Sequence, residues 1–210
     1  MPSPARDAVD GTGRDSWMIT FDDGGSSSLL IAEKLASYGW PGHFFITTGK
    51  IGRPGFVTPD EIRRLHELGH VVGSHSETHP ERMSRLAWAD LMREWGDSVR
   101  TLSEILGEDV VTGSVPGGYY SKTVARAAAE AGIRVLFNSE PVTRPHAVDG
   151  SVVVGRFSLH RDSQPELAVD LVRRRLPRAR QFAGWNARKA AKSVGGNAYL
   201  RLRQVLLSRH

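Results

Sequence analysis

Residues 16–49 read SWMITFDDGGSSSLLIAEKLASYGWPGHFFITTG, and the order of their patterns decides the fold. SWMITF (Ser16–Phe21) is a short apolar run of the length of a buried strand. SSSLLIAEKLASYGW (Ser26–Trp40) reads as a helix, with Ser26 or Ser27 as its cap and Gly39 as its stop. HFFITTG (His43–Gly49) is a second buried strand. Between the first strand and the helix stand two carboxylates, Asp22 and Asp23, followed by two glycines. Adjacent residues on a strand face opposite ways, so the two acids cannot share one task if the strand runs through them. Alone, the pair reads as a helix cap or an Asx turn.

The same alternation continues outward. VTPDEIRRLHELGH (Val57–His70) is a helix with Thr58 at its N-cap, Pro59 in its first turn and Glu61 completing a capping box. Gly69 ends it. VVGSHS (Val71–Ser76) is a third strand. SRLAWADLMREWGDSVRTLSEILG (Ser84–Gly107) is a long amphipathic helix. Leu91, Trp95, Val99, Leu102 and Leu106 recur in it at steps of three and four. VVTGSVP (Val110–Pro116), IRVLFNS (Ile133–Ser139) and SVVVGRFSLH (Ser151–His160) are strands, and SKTVARAAAEAG (Ser121–Gly132) is a helix. A last helix is predicted near Pro165 to Arg175. Strands alternating with helices imply a parallel sheet with both faces covered, open or closed into a barrel.

Four strand ends carry polar groups, which is where parallel α/β folds build their sites. The first is Asp22-Asp23. The second is HSETHP (His75–Pro80), whose two imidazoles four residues apart can converge on one ion. With a distant carboxylate they make a two-histidine, one-carboxylate set that leaves positions open for water and substrate. Unconnected surface histidines are the alternative. The third is SVPGGYY (Ser114–Tyr120), where glycines permit close backbone approach and free N–H groups could hold an oxyanion; an ordinary turn explains it equally. The fourth is SLH (Ser158–His160).

Taken in order, T-F-D-D-G, H-S-x-x-H, a Pro-Gly loop and L-x-H resemble the polysaccharide deacetylase family, the NodB-homology or carbohydrate esterase 4 enzymes. The resemblance covers Trp17 to Asp162. It implies an α/β fold, a distorted, incomplete (β/α) barrel of seven or eight strands. It also implies a divalent metal, Zn2+ first and Co2+, Ni2+ or Mn2+ as alternatives, held by Asp23, His75 and His79. Asp22 would be the general base that takes a proton from the attacking water. His160 would be the general acid that protonates the leaving amine. Leu159 would line the acetyl pocket, and the backbone near Gly117, with Tyr119 in the same loop, would contact the substrate.

The chain departs from the family pattern in two places. Ser114 stands where an arginine usually braces the base, and Gly117 where an aromatic residue is common. LFNSEP (Leu136–Pro141) offers Asn138, Ser139 and Glu140 where an Asp, and often a Trp, is usual. Arg156 and Arg161 are candidates to replace the brace. The implied activity is removal of an N-acetyl group from an amino sugar in a polysaccharide or lipid-linked glycan. Hydrolysis of a non-sugar amide on the same scaffold, or a catalytically silent carbohydrate- or lipid-binding module, stay open as alternatives.

Composition bounds the rest. The chain has 210 residues and no cysteine, which excludes disulfides and thiolate metal ligation. No run approaches the ~20 apolar residues of a membrane span. The N-terminal stretch lacks the apolar core of a secretory signal, so the expected location is cytoplasmic. Charge is uneven: Leu171 to His210 holds 11 Lys+Arg and no acid, within a net charge of +5, so the remainder is acidic. A basic tail carrying Phe182, Trp185 and Tyr199 suits an anionic membrane surface at the inner leaflet, or a helical extension packed on the barrel. No nucleic-acid motif accompanies it. The expected organisation is a flexible stretch at 1–14, a catalytic domain at 15–165 and a basic helical extension at 166–210.

Overall fold

The computed structural model describes residues 17–160 and 162–187. The expected flexible stretch 1–14 and the tail beyond residue 187 lie outside the described residues. Two compact units result: residues up to Ser139 together with Thr143–Gly155, and Glu140–Val142 together with the residues from Arg156 onward.

The first unit is built on one seven-stranded sheet. In chain order its elements are β1 (Ile19–Phe21), α1 (Ser28–Ala36), β2 (Gly42–Ile46), α2 (Pro59–Glu67), β3 (Val71–Ser74), α3 (Trp88–Leu106), β4 (Thr112–Ser114), α4 (Lys122–Glu130), β5 (Val135–Phe137), β6 (His146–Val148) and β7 (Ser151–Val154). The strand order is β1-β2-β3-β4-β5-β7-β6, so β1 and β6 are edges and the sheet curls without closing. The neighbours from β1 to β7 run parallel, with Phe21 opposite Phe44, Phe44 opposite Val72 and Ser114 opposite Phe137.

Strand alternation sorts the side chains into layers. Phe44 and Ile46 of β2 join Ile62 and Leu65 of α2 and Leu102 of α3 beneath the helices. Phe45 points the other way, into a small cluster with Val135 and Phe137 of β5. Leu91 and Trp95 of α3 pack with Val124 and Ala128 of α4 against Leu136 and Val153. The apolar period read from the sequence is thus the packed face of α3. Thr58 accepts from the Glu61 N–H at 3.3 Å while the Glu61 carboxylate accepts from the Thr58 N–H at 2.7 Å, which is the predicted capping box.

Two local expectations are corrected. Ser27 occupies the N-cap of α1, but its hydroxyl makes no capping bond, because its backbone is already helical (φ −75°, ψ −10°). The β6 strand was not read from the sequence. It pairs antiparallel with β7 through a two-residue turn at Asp149 and Gly150, both at positive φ (45° and 86°). An Asp-Gly pair is the characteristic residue choice for that hairpin turn.

The second unit contains α5 (Pro165–Arg173) and a helical stretch at 175–187. Arg178 ties the two together by donating to the terminal carbonyls of Leu171 and Val172. Among the described residues no helix is long and apolar enough to cross a membrane.

Candidate metal centre

Three parallel strands deliver the site from their C-terminal ends. β1 ends at Phe21, so Asp22 and Asp23 belong to the loop that follows and not to the strand. Asp23 takes a left-handed conformation (φ 77°), which breaks the strand alternation and turns its carboxylate away from the course Asp22 follows. Gly24 follows at φ 76°, pressed against Ile46, where a Cβ would lie 3.1 Å from two of its side-chain atoms.

Asp23 meets both histidines of the second motif. Its Oδ1 lies 3.4 Å from His75 Nε2 and 3.4 Å from His79 Nε2. The three ligand atoms fall within 4.8 Å of one another. Ligands about 2.0–2.2 Å from a tetrahedral ion stand roughly 3.3–3.5 Å apart, and the two Asp23–histidine separations match that spacing. The chemistry of the set fits as well. His75 Nδ1 lies 2.9 Å from the Ser114 carbonyl oxygen, which can only accept. Nδ1 therefore carries a proton, which leaves Nε2 as the ring's ligand atom, on the side of Asp23. His75 is buried, His79 is partly exposed and Asp23 is 56% exposed, so the cluster has a closed back and an open mouth.

The loop between the two histidines is held from below. Ser76 and His79 both sit at positive φ (64° and 58°). The Ser76 hydroxyl accepts from the His79 N–H at 3.1 Å, and Ser74 Oγ accepts from the Ser76 N–H at 3.1 Å. Ser74 in turn bonds Ser98 of α3 at 2.7 Å. The buried Glu94 carboxylate, one turn earlier on α3, accepts from the N–H groups of Glu77 and Thr78 at 3.0 and 2.9 Å and from the Thr78 hydroxyl at 2.5 Å. Sequence reasoning missed Glu94, Ser74 and Ser98.

Ser114, the last residue of β4, donates from Oγ to Asp22 Oδ2 at 3.3 Å. A hydroxyl thus reaches the acid from the position where the family usually carries an arginine. Of the candidate braces, the Arg156 N–H donates to the Glu140 carbonyl within the second unit, and Arg161 lies outside the described residues. The third-motif loop follows, with Gly117 and Gly118 at φ 59° and 69°, Gly117 exposed and Tyr119 partly exposed. Leu159 and His160 belong to the second unit. There the His160 N–H donates to Ser163 Oγ at 2.9 Å, and Leu159 is 52% exposed.

A half-open parallel α/β barrel that gathers two imidazoles and a carboxylate at its strand ends has the donor set of a hydrolytic metal centre. The comparisons name the family: the polysaccharide deacetylase model matches residues 10–136, and the chain belongs to that family. The chitooligosaccharide deacetylase of Sinorhizobium fredii is 32% identical over 129 residues, which are 60% of this chain and 58% of that protein. The chain thus spans little more than half the length of that curated relative. Among solved structures, a Streptococcus pyogenes deacetylase in complex with acetate superposes with a TM-score of 0.72 at 16% identity, over 82% of this chain and 79% of that one. IcaB of Ammonifex degensii superposes with a TM-score of 0.68 at 22% identity, over 82% of each chain. These likenesses establish the fold.

Proposed function

We propose that the chain is a metal-dependent hydrolase that removes an N-acetyl group from an amino sugar in a polysaccharide or lipid-linked glycan. The observation that carries the reading is the Asp23–His75–His79 cluster at tetrahedral spacing with a second carboxylate, Asp22, next to it in the chain. Zn2+ suits two imidazoles and a carboxylate, and Co2+, Ni2+ or Mn2+ could occupy the same ligands. When bound, the ion would polarise the amide carbonyl and lower the pKa of water toward ~7.

The chain's own groups supply the rest. Asp22 is exposed at the mouth of the sheet, where its carboxylate can accept the proton of a water attacking the acetyl carbon. Oxygen bonds to that carbon as the proton passes to Asp22. Backbone N–H groups about Gly117 receive the developing oxyanion. The C–N bond then breaks as His160 gives a proton to the departing nitrogen, leaving acetate and a free amine. The family resemblance would give Leu159 the lining of the acetyl pocket and Tyr119 a contact with the substrate.

The same reading assigns the basic tail to an anionic membrane surface, which would put the substrate at the inner leaflet. Val172, Leu176 and Phe182 are exposed among Arg173, Arg175 and Arg180, an apolar and basic combination suited to a lipid headgroup layer. Flotation with anionic and neutral vesicles tests it: retention on the anionic vesicles alone is expected, and retention on neither removes the assignment.

Acetate release from a panel of N-acetylated glycans and lipid-linked sugars, with and without chelator, tests the activity. Chelator-sensitive acetate release is expected. Metal binding without acetate release from any sugar would favour a non-sugar amide, and neither would favour a silent binding module.

A further inference from the structure

Glu94 sits on α3, outside every motif that carries the resemblance, yet it is the most heavily engaged buried carboxylate near the candidate site. It is 9% exposed. Its two oxygens accept three hydrogen bonds from two consecutive residues, Glu77 and Thr78, which lie midway between His75 and His79. A carboxylate has acceptor capacity only, and three converging donors satisfy it without a cation. One helical turn further on, Ser98 bonds Ser74, the residue before His75. The i, i+4 pair Glu94 and Ser98 therefore grips the loop at its middle and its start.

The loop needs that grip. Two of its non-glycine residues, Ser76 and His79, hold left-handed backbone conformations that such residues adopt only when their surroundings impose them. His79 is the less buried histidine, 29% exposed against 2% for His75, so the loop backbone has the larger share in fixing its position.

We propose that Glu94 is a positioning residue for the metal centre. It sets the His75–His79 loop so that His79 Nε2 reaches the point shared with Asp23 and His75. This rests on the metal-dependent reading given above. Loss of the carboxylate would take the acceptor from the Thr78 N–H and hydroxyl and leave the Glu77 N–H only its 3.1 Å bond to the backbone carbonyl of residue 94, and the loop would relax to rehydrate the freed donors. Glutamine can replace it: its carbonyl takes the two N–H groups and its amide donates to the Thr78 hydroxyl.

The test is Co2+ titration of chelator-stripped full chain, read by the visible absorption of the bound ion, beside thermal unfolding of the same proteins. Glu94→Ala is expected to weaken Co2+ binding by about 10–100-fold and to alter the absorption envelope. Glu94→Gln is expected to restore most of the affinity. A lower Tm with unchanged Co2+ affinity is the mark of a purely structural role and overturns the proposal. Should Glu94→Ala not fold, Thr78→Val decides, since it removes one arm of the clasp from an exposed loop position: weaker Co2+ binding supports the proposal and unchanged binding overturns it. Wild type that fails to bind Co2+ overturns this inference and the metal reading together. Glu94-dependent binding without acetate release overturns the N-deacetylase reading alone.

Discussion

The hydroxyl of Ser114 donates to Asp22 at 3.3 Å, while the carbonyl oxygen of the same residue accepts from His75 at 2.9 Å. One residue at the end of β4 therefore touches both the proposed base and a proposed ligand, through different atoms. Ser114→Ala removes the first contact and keeps the second. A bond to an exposed carboxylate at this length stabilises it by about 1 kcal/mol, which is about fivefold in rate. Turnover is expected to fall by about that factor with Co2+ affinity unchanged. A matching loss of metal affinity would show that the residue acts through the His75 side.

Asp22 and Asp23 are neighbours in sequence with different surroundings, and substitution separates them. Asp23→Ala removes a ligand atom 3.4 Å from both imidazoles, so metal affinity is expected to drop by more than ~100-fold, with activity following. Asp22→Asn keeps the side-chain volume and removes the proton acceptor. It is expected to retain metal and lose about 10²–10⁴ in kcat. Metal content by elemental analysis beside acetate release checks both. An Asp22→Asn protein with full metal-dependent activity removes the base assignment.

The cluster was legible because its ligands lie in two short patterns whose spacing is itself chemical: adjacent acids after a strand, and imidazoles four apart. The sheet was legible because buried parallel strands are unbroken apolar runs such as HFFI. What escaped has a physical cause in each case. Glu94 lies beside Trp95 on an amphipathic helix, where a charged residue next to the apolar stripe reads as part of the solvated face. Only the fold brings Glu77 and Thr78 over it. The β6–β7 hairpin was hidden by the expectation of parallel pairing, although Asp149-Gly150 marked its turn. The hydroxyl of Ser27 looked like a cap because serine favours that position, but the loop enters α1 already helical.

The capping box of α2 gives a stability test that touches none of the proposed ligands. Thr58 accepts from Glu61 and its own N–H is covered in return, so Thr58→Ala leaves a helix-terminal donor to water. The expected cost is about 1 kcal/mol, or about 2–4 °C in Tm for a chain of this size. Co2+ affinity is expected to be unchanged, since the cap's hydrogen bonds run between Thr58 and Glu61 and involve none of the proposed ligands, although α2 begins at the same end of the sheet as the site, where the Val57 N–H donates to the Gly24 carbonyl at 3.0 Å. A Tm within error of wild type would mean that the cap is redundant with the packing of Ile62 and Leu65.

His43 of β2 makes the fold sensitive to acid. It is fully buried, its Nδ1–H donates to the Ile19 carbonyl at 3.2 Å, and its Nε2 has no partner among the described residues. Burial lowers its pKa to about 4, against the opposing pull of the Ile19 carbonyl and with a small further lowering from nearby His70. The unfolded chain binds this proton near pH 6.5 and the folded chain only near pH 4. The neutral ring's contribution is therefore complete above pH 6.5, declines as pH falls from there, and levels off below about 4. The interval corresponds to about 3 kcal/mol. His70, whose pKa burial also lowers, adds to the same trend. Urea unfolding between pH 4 and 7.5 in chelator, which removes any contribution from acid release of metal, is expected to show wild type losing stability toward acid. His43→Leu, which cannot take up the proton, is expected to be flatter by most of that amount. Parallel curves for the two proteins would show that the buried imidazole does not set the acid limit of the fold.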